Sequence, residues 1–239
     1  MIKFSLPSFL IVLLLLSRIN TFSQVNYSEL ALTGRGDLEL VGTQDKLQKE
    51  VFEAFKKMQQ DALKDSISIK IASAYRSFDR QQEIWNRKYE TYISEGLTPQ
   101  GAIEKIIAYS TIPGTSRHHW GTDIDLIEEV VNIPEKLLTE ENYINKGVFS
   151  NFKRWMDKNS EKYGFYLVYD ASIDRKGFKY EPWHYSYKKL SHPMLKDFLK
   201  IDLVALLQSV NLEGNKFITP AFLQKYTNEN ILDINPKLK

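Results

Sequence analysis

Three of the four histidines in this chain fall in two short segments that also carry carboxylates. The first runs Ser116-Arg117-His118-His119-Trp120-Gly121-Thr122-Asp123-Ile124-Asp125, and the second is Glu181-Pro182-Trp183-His184. A histidine on a turn that enters a strand, followed by a carboxylate on that strand, is a donor mix that suits zinc when thiolates are absent. Gly121 allows the backbone to bend between the two donors. The second segment adds another imidazole, with a carboxylate three residues before it. Three protein ligands leave one position open, which is the arrangement of a catalytic rather than a structural zinc. Zinc lowers the pKa of a water to about 7, and a neighbouring carboxylate can take its proton and hand it to a leaving amine. These residues alone leave open which of His118 and His119, and which of Asp123 and Asp125, would face the ion.

There is no cysteine. Disulfides, thiolate zinc sites and cysteine nucleophiles are therefore excluded, and the fold must rest on its core and a metal. The N-terminus reads as an export signal. Lys3 supplies a short positive region, Phe9 to Leu16 is an unbroken apolar run, and polar and small residues follow to Ser23. Cleavage is expected near Ser23–Gln24, and the run is too short to span a bilayer comfortably. An uncleaved N-terminal anchor is the alternative, and either form exports the domain to the periplasm or cell envelope. The formal charge of +2 falls to near zero once Lys3 and Arg18 are removed. No general attraction to nucleic acid or anionic membrane follows from that charge.

The elements that must position these residues can be read from periodicity. Thr43 or Asp45 would cap a helix to about Leu63, with Leu47, Val51, Phe55 and Met58 at helical spacing. Ser66 to Ser73 alternates as a strand, Asp79 to Ile93 reads as a helix, and Pro99 to Ala108 as a shorter one. Ile112 to Thr115 is a turn and Thr122 to Ile127 a strand. A helix over Phe149 to Tyr163 stops at Gly164. Phe165 to Tyr169 and Phe178 to Tyr187 read as strands around a turn at Arg175–Gly177. From Pro193 the chain reads as helical with a polar tail, and His192 as a surface turn residue. The expected organisation is a signal over 1–23, one α+β domain over 24–190, and a helical C-terminal extension over 191–239 packed on it.

The paired motifs resemble those of the VanY-type D-alanyl-D-alanine carboxypeptidases, whose superfamily also contains lysostaphin-like peptidases and sonic hedgehog. That family carries Ser-x-His-x-x-Gly-x-Ala-x-Asp and Glu-x-Trp-His. Ser116, His118, Gly121 and Asp125 match the first, and Glu181, Trp183 and His184 match the second. Upstream, Ser73-Ala74-Tyr75-Arg76-Ser77 and Gln81 are similar to a third family segment. The resemblance implies a small antiparallel sheet carrying one zinc ion, flanked by helices. It implies His118, Asp125 and His184 as ligands, Glu181 as catalytic base, and Arg76 as the cation that stabilises the oxyanion. It implies substrate contacts from Ser116, Gln81, Trp183 and Tyr75.

The family alanine is Asp123 here. Asp123 and Asp125 point to the same side of a strand. Three roles are open to Asp123: competing ligand, partner of a zinc-bound histidine, or a contact to an amine on the substrate. By spacing Asp125 takes the ligand role, and Asp123 is expected as the partner of a zinc-bound histidine or as a substrate contact. His119 reads as a packing residue. The activity implied is release of terminal D-alanine from peptidoglycan stem peptides by a monomeric enzyme. Endopeptidase action on cross-links is the alternative within the same chemistry, and a non-catalytic zinc-containing binding module the alternative outside it. The presence of both Glu181 and Arg76 speaks for the enzyme.

Overall fold

The computed structural model describes residues 27–239. The signal expected over 1–23, with its cleavage site, lies outside them. Elements follow in chain order as α1 (Glu29–Leu32), β1 (Leu40–Val41), β2 (Leu47–Gln48), α2 (Lys49–Lys64), β3 (Ile69–Ser73), α3 (Phe78–Ser94) and α4 (Pro99–Ile107). Then come β4 (Asp123–Glu128), α5 (Ser150–Asn159), β5 (Phe165–Leu167), β6 (His184–Tyr187), α6 (Lys188–Phe198), α7 (Leu203–Gln208) and α8 (Pro220–Tyr226). The α+β class expected from the sequence is what forms.

The central sheet is antiparallel, in the order β3-β4-β6-β5. Its two faces differ because side chains alternate along each strand. Ile124, Leu126 and Tyr185 point to one face. There they pack with Val51, Phe55, Met58 and Ala62 of α2 and with Phe152 and Met156 of α5. Asp123, Asp125, His184 and Ser186 point to the other. A second apolar cluster, built from Trp85 of α3, Ile103 and Ile106 of α4, and Met194 and Phe198 of α6, reaches Ile234 and Leu238 near the C-terminus. The polar face of the sheet meets the seam between these two clusters.

Several boundaries differ from the sequence reading. The helix expected from Thr43 or Asp45 begins only at Lys49, because Leu47 and Gln48 pair with Leu40 and Val41 in a small hairpin. The strand expected from Phe178 is confined to His184–Tyr187. The preceding stretch is a loop tied by Glu181 N–H to Tyr169 O (3.1 Å) and Lys179 N–H to Ala108 O (3.0 Å). Helix α6 runs through Pro193 from Lys188, so His192 lies within a helix rather than on a turn. The lost bond falls on the carbonyl of exposed Lys189, where water can replace it. The polar tail is a buried strap. Asn235 N–H bonds to Val168 O and its side chain to Leu167 O, both at 2.9 Å. Ile231, Ile234 and Leu238 are buried. Residues 191–239 therefore share one core with helices α3 and α4.

Candidate metal centre and cavity

Two strands bring the histidine and carboxylate donors together by register. Asp125 on β4 lies directly opposite His184 on β6, and Asp123 opposite Ser186. His118 comes from a 3-10 turn, Arg117–Trp120, whose first residues are capped by the Ser116 hydroxyl accepting from His118 N–H at 3.3 Å. Gly121 ends that turn at φ 63°, in the left-handed region, and turns the chain into β4. A Cβ there would approach Leu40 Cδ2 to 2.7 Å.

The donor atoms of His118, Asp125 and His184 all lie within 4.8 Å of one another. His118 Nε2 is 3.4 Å from Asp125 Oδ2, and His184 Nδ1 is 3.9 Å from Asp125 Oδ1. The far nitrogens are engaged elsewhere. His118 Nδ1 donates to Ala74 O at 2.8 Å, and His184 Nε2 donates to Asp123 Oδ1 at 3.2 Å. Each ring therefore turns its other nitrogen inward, the one a metal would take. Asp125 Oδ1 is buried with no hydrogen-bond partner, an unusual condition for a carboxylate oxygen. Two inward imidazole nitrogens and an orphaned carboxylate oxygen form a donor set that fits a divalent cation such as zinc. His119, by contrast, points away. Its Nδ1 donates to Arg76 O at 2.5 Å, and its Nε2 accepts from Gly114 N–H at 3.1 Å. Burial pulls its pKa down to about 3, so it is a neutral spacer that fixes the Arg76 backbone.

Glu181 and Arg76 stand beside this cluster. Glu181 Oε2 is 2.9 Å from His184 Nδ1. Burial disfavours a charged His184 ring, but its bonds to Asp123 and Glu181 and the charges of Asp125 and Glu181 outweigh that and push it up to about 10. The carboxylates thus make a strongly electronegative point that suits a bound cation. Arg76 Nη1 donates to Gln81 Oε1 at 2.8 Å and Nη2 to Ser73 Oγ at 3.1 Å. Burial lowers the Arg76 pKa, and Asp125 and Glu181 partly offset that loss. The guanidinium is therefore aimed along the same cavity.

That cavity encloses about 550 Å³ and is lined by Arg76, Ser116, His118, Asp125, Glu181, Trp183 and His184. Three residues expected to touch substrate are not on its walls. Gln81 is fully buried; its amide holds Arg76 with one end and Ser110 Oγ and Thr111 O with the other. Tyr75 is half-buried outside the cavity, its N–H bonded to Lys46 O. Asp123 has no exposed surface and cannot meet a substrate amine. It is surrounded instead by Arg117 Nε (2.8 Å), Thr122 Oγ1 (2.6 Å), Ser186 Oγ (3.0 Å) and His184 Nε2. Burial would raise its pKa, but the Arg117 charge and these donors hold it below the usual carboxylate range. Of the three roles open to Asp123, partner of a ligand histidine is the one this geometry fits.

The sequence reading missed Arg117, Ser186 and Lys88. Arg117 crosses from the histidine turn to Ser186 Oγ at 2.7 Å and stacks its guanidinium 4.7 Å from the Trp120 ring. Its place next to His118 was the available signal. Lys88 lines the cavity from α3, seven residues beyond Gln81 and so on the same helical stripe.

A profile of the family described as VanY, D-alanyl-D-alanine carboxypeptidase, matches residues 44–190. Curated relatives include the D-alanyl-D-alanine carboxypeptidases of Enterococcus faecalis, 30% identical over 118 residues covering 49% of this chain and 39% of that protein, and of Enterococcus faecium, 28% identical over 181 residues covering 72% and 50%. The chain therefore spans half the length of these relatives or less. Among solved structures, VanYB in complex with D-alanine-D-alanine superposes with TM-score 0.53 at 24% identity, over 74% of this chain and 92% of that one. A vancomycin-resistance D,D-pentapeptidase VanY variant in complex with Zn(II) superposes with TM-score 0.52 at 25% identity, over 72% and 90%. With its motifs, antiparallel sheet and more than half of its length matched, the chain belongs to the VanY family of D-alanyl-D-alanine carboxypeptidases.

Proposed function

We propose that this protein is a zinc-dependent peptidase that removes the terminal D-alanine from peptidoglycan stem peptides. The observation that carries the reading is the meeting of an inward-facing His118–Asp125–His184 donor set with Glu181 and Arg76 in one cavity. The family and the Zn(II) complex of the VanY neighbour support the metal and the substrate class. When bound, zinc supplies a Lewis acid at the scissile carbonyl and a nucleophile at neutral pH.

The chain's own groups perform the rest. Arg76, held by Ser73 and Gln81, donates to the carbonyl oxygen as it gains negative charge. A Glu181 carboxylate oxygen accepts the proton of the attacking water. It then returns that proton to the amide nitrogen as the C–N bond breaks, so that D-alanine leaves as a neutral amine. Trp183 and Ser116 shape the wall beside the peptide. The apolar run at the N-terminus fits export to the compartment where such peptides lie.

The test is D-alanine release from a pentapeptide stem ending in D-Ala-D-Ala, with and without chelator, beside Glu181→Ala. Release that chelator stops, zinc restores and the variant lacks is the expected result. Stoichiometric zinc binding without release from this peptide would overturn the carboxypeptidase reading and direct the assay to cross-linked muropeptides.

A further inference from the structure

We propose that Lys88 is the anchor for the carboxylate at the end of the peptide, and so sets this cavity to cut from a free C-terminus. The inference rests on the peptidase reading above and concerns a residue outside the family motifs.

Lys88 sits on α3 one helical turn after Ile84, and both line the cavity. The ammonium faces inward. Burial lowers its pKa first, the charge of Arg76 lowers it further, and Glu181 acts in the opposite sense. Its place among the lining residues, with Ile84 one turn before it, puts Lys88 on the cavity side of the helix. Among the described residues it has no ion-pair partner and no hydrogen bond, unlike Arg76 and Arg117, the other cations that line the cavity. Arg76 already spends donors on Gln81 and Ser73 and faces Asp125 and Glu181. A partly dehydrated cation with no protein acceptor is a vacancy for an anionic ligand group.

Of the other cations on the cavity, Arg117 is already paired with Asp123 and Ser186. Asp125 and Glu181 stand at the metal end, and Glu140 and Glu141 also line the cavity. A peptide carboxylate is repelled from both and is drawn to α3. The terminal carboxylate lies one residue, about 3.5 Å of chain, beyond the scissile bond. A lysine ammonium on a long, mobile stem can follow a carboxylate that shifts by one residue within the cavity. A cross-link carries an amide at the corresponding position, which the same ammonium would leave unpaired against carbonyl and N–H groups.

The experiment measures dissociation constants by calorimetry for a tripeptide ending in D-Ala-D-Ala and for its C-terminal amide. It uses the zinc-loaded chain carrying Glu181→Ala, so that binding is read without turnover. The acid is expected to bind about 10- to 100-fold more tightly than the amide, the factor a charge-assisted hydrogen bond provides. Adding Lys88→Met should collapse that ratio to near one, and Lys88→Arg should restore most of it. Equal binding of acid and amide, a ratio that survives Lys88→Met, or no binding of either peptide overturns the anchor. D-alanine release by the parent chain is scored separately. Release with a ratio indifferent to Lys88 retires the anchor and keeps the peptidase. A Lys88-dependent ratio without release keeps the anchor and retires the peptidase.

Discussion

Replacing Asp123 by alanine removes four hydrogen bonds at once, two of them from Arg117 and His184, and leaves no water-accessible surface through which solvent can compensate. The Arg117 guanidinium, 5% exposed, would keep only its bond to Ser186 and its contact with Trp120. Breaking one partner of a buried ion pair in this way costs about 3–5 kcal/mol of folding stability. A second, separate effect falls on the metal. Without an acceptor for its Nε2–H, the His184 ring loses both its orientation and the polarisation that makes Nδ1 a good donor, which weakens zinc by roughly 10- to 100-fold. The two effects can be measured apart. Urea unfolding of the chelator-stripped chain gives the first, and competition with a zinc indicator gives the second. Combining Asp123→Ala with Arg117→Met should recover much of the stability, because the stranded charge is gone, and none of the zinc affinity. An Asp123→Ala chain that binds zinc within twofold of the parent, or an Arg117→Met partner that restores both properties together, would refute the claim that Asp123 acts through His184.

Gln81→Ala should lower kcat by at least about tenfold while moving KM less, since it frees Arg76 to leave the position it needs only as charge develops on the carbonyl oxygen; steady-state kinetics on the pentapeptide checks the split. Gly177→Ala should destabilise the fold by roughly 1–3 kcal/mol, because a Cβ would lie 1.6 Å from Glu229 O, and urea unfolding reads the loss. Asp233→Ala should loosen the loop that carries Glu181, since Oδ2 accepts from Lys176 N–H (2.7 Å) and Gly177 N–H (3.2 Å); faster amide exchange at those two residues is the expected sign. Zinc at a thousandfold excess over its dissociation constant should add about 4 kcal/mol of stability, read as a rise in Tm that chelator reverses.

The alternation of Ile124 and Leu126 with Asp123 and Asp125 announced a strand with one apolar and one polar face, and the structure has it. Helix α3 was legible within about a residue, because Ser77 is a good N-cap whose hydroxyl accepts from Arg80 N–H. The two histidine- and carboxylate-bearing segments were legible as a candidate zinc site because zinc without thiolates demands imidazole and carboxylate, and the resemblance to the family motifs singled out His118, Asp125, His184 and Glu181 within them. These are local facts: side-chain chemistry, short spacing and periodicity are carried by neighbouring residues.

What only the tertiary structure decided involves residues far apart in the chain. Asp123 became a partner of His184 through the β4–β6 register, 61 residues away in sequence, and its burial there removed it from the substrate. Gln81 turned inward to hold Arg76 because the α3 stripe that bears it also packs Trp85 into the core. The C-terminal tail reads as polar in one dimension, yet Asp233 and Asn235 are strapped to the loop and strand that flank Glu181. A polar side chain has the same composition whether it faces water, a metal or a backbone N–H; which of these it meets is set by chain packing, and packing between distant segments leaves no period in the sequence to be read.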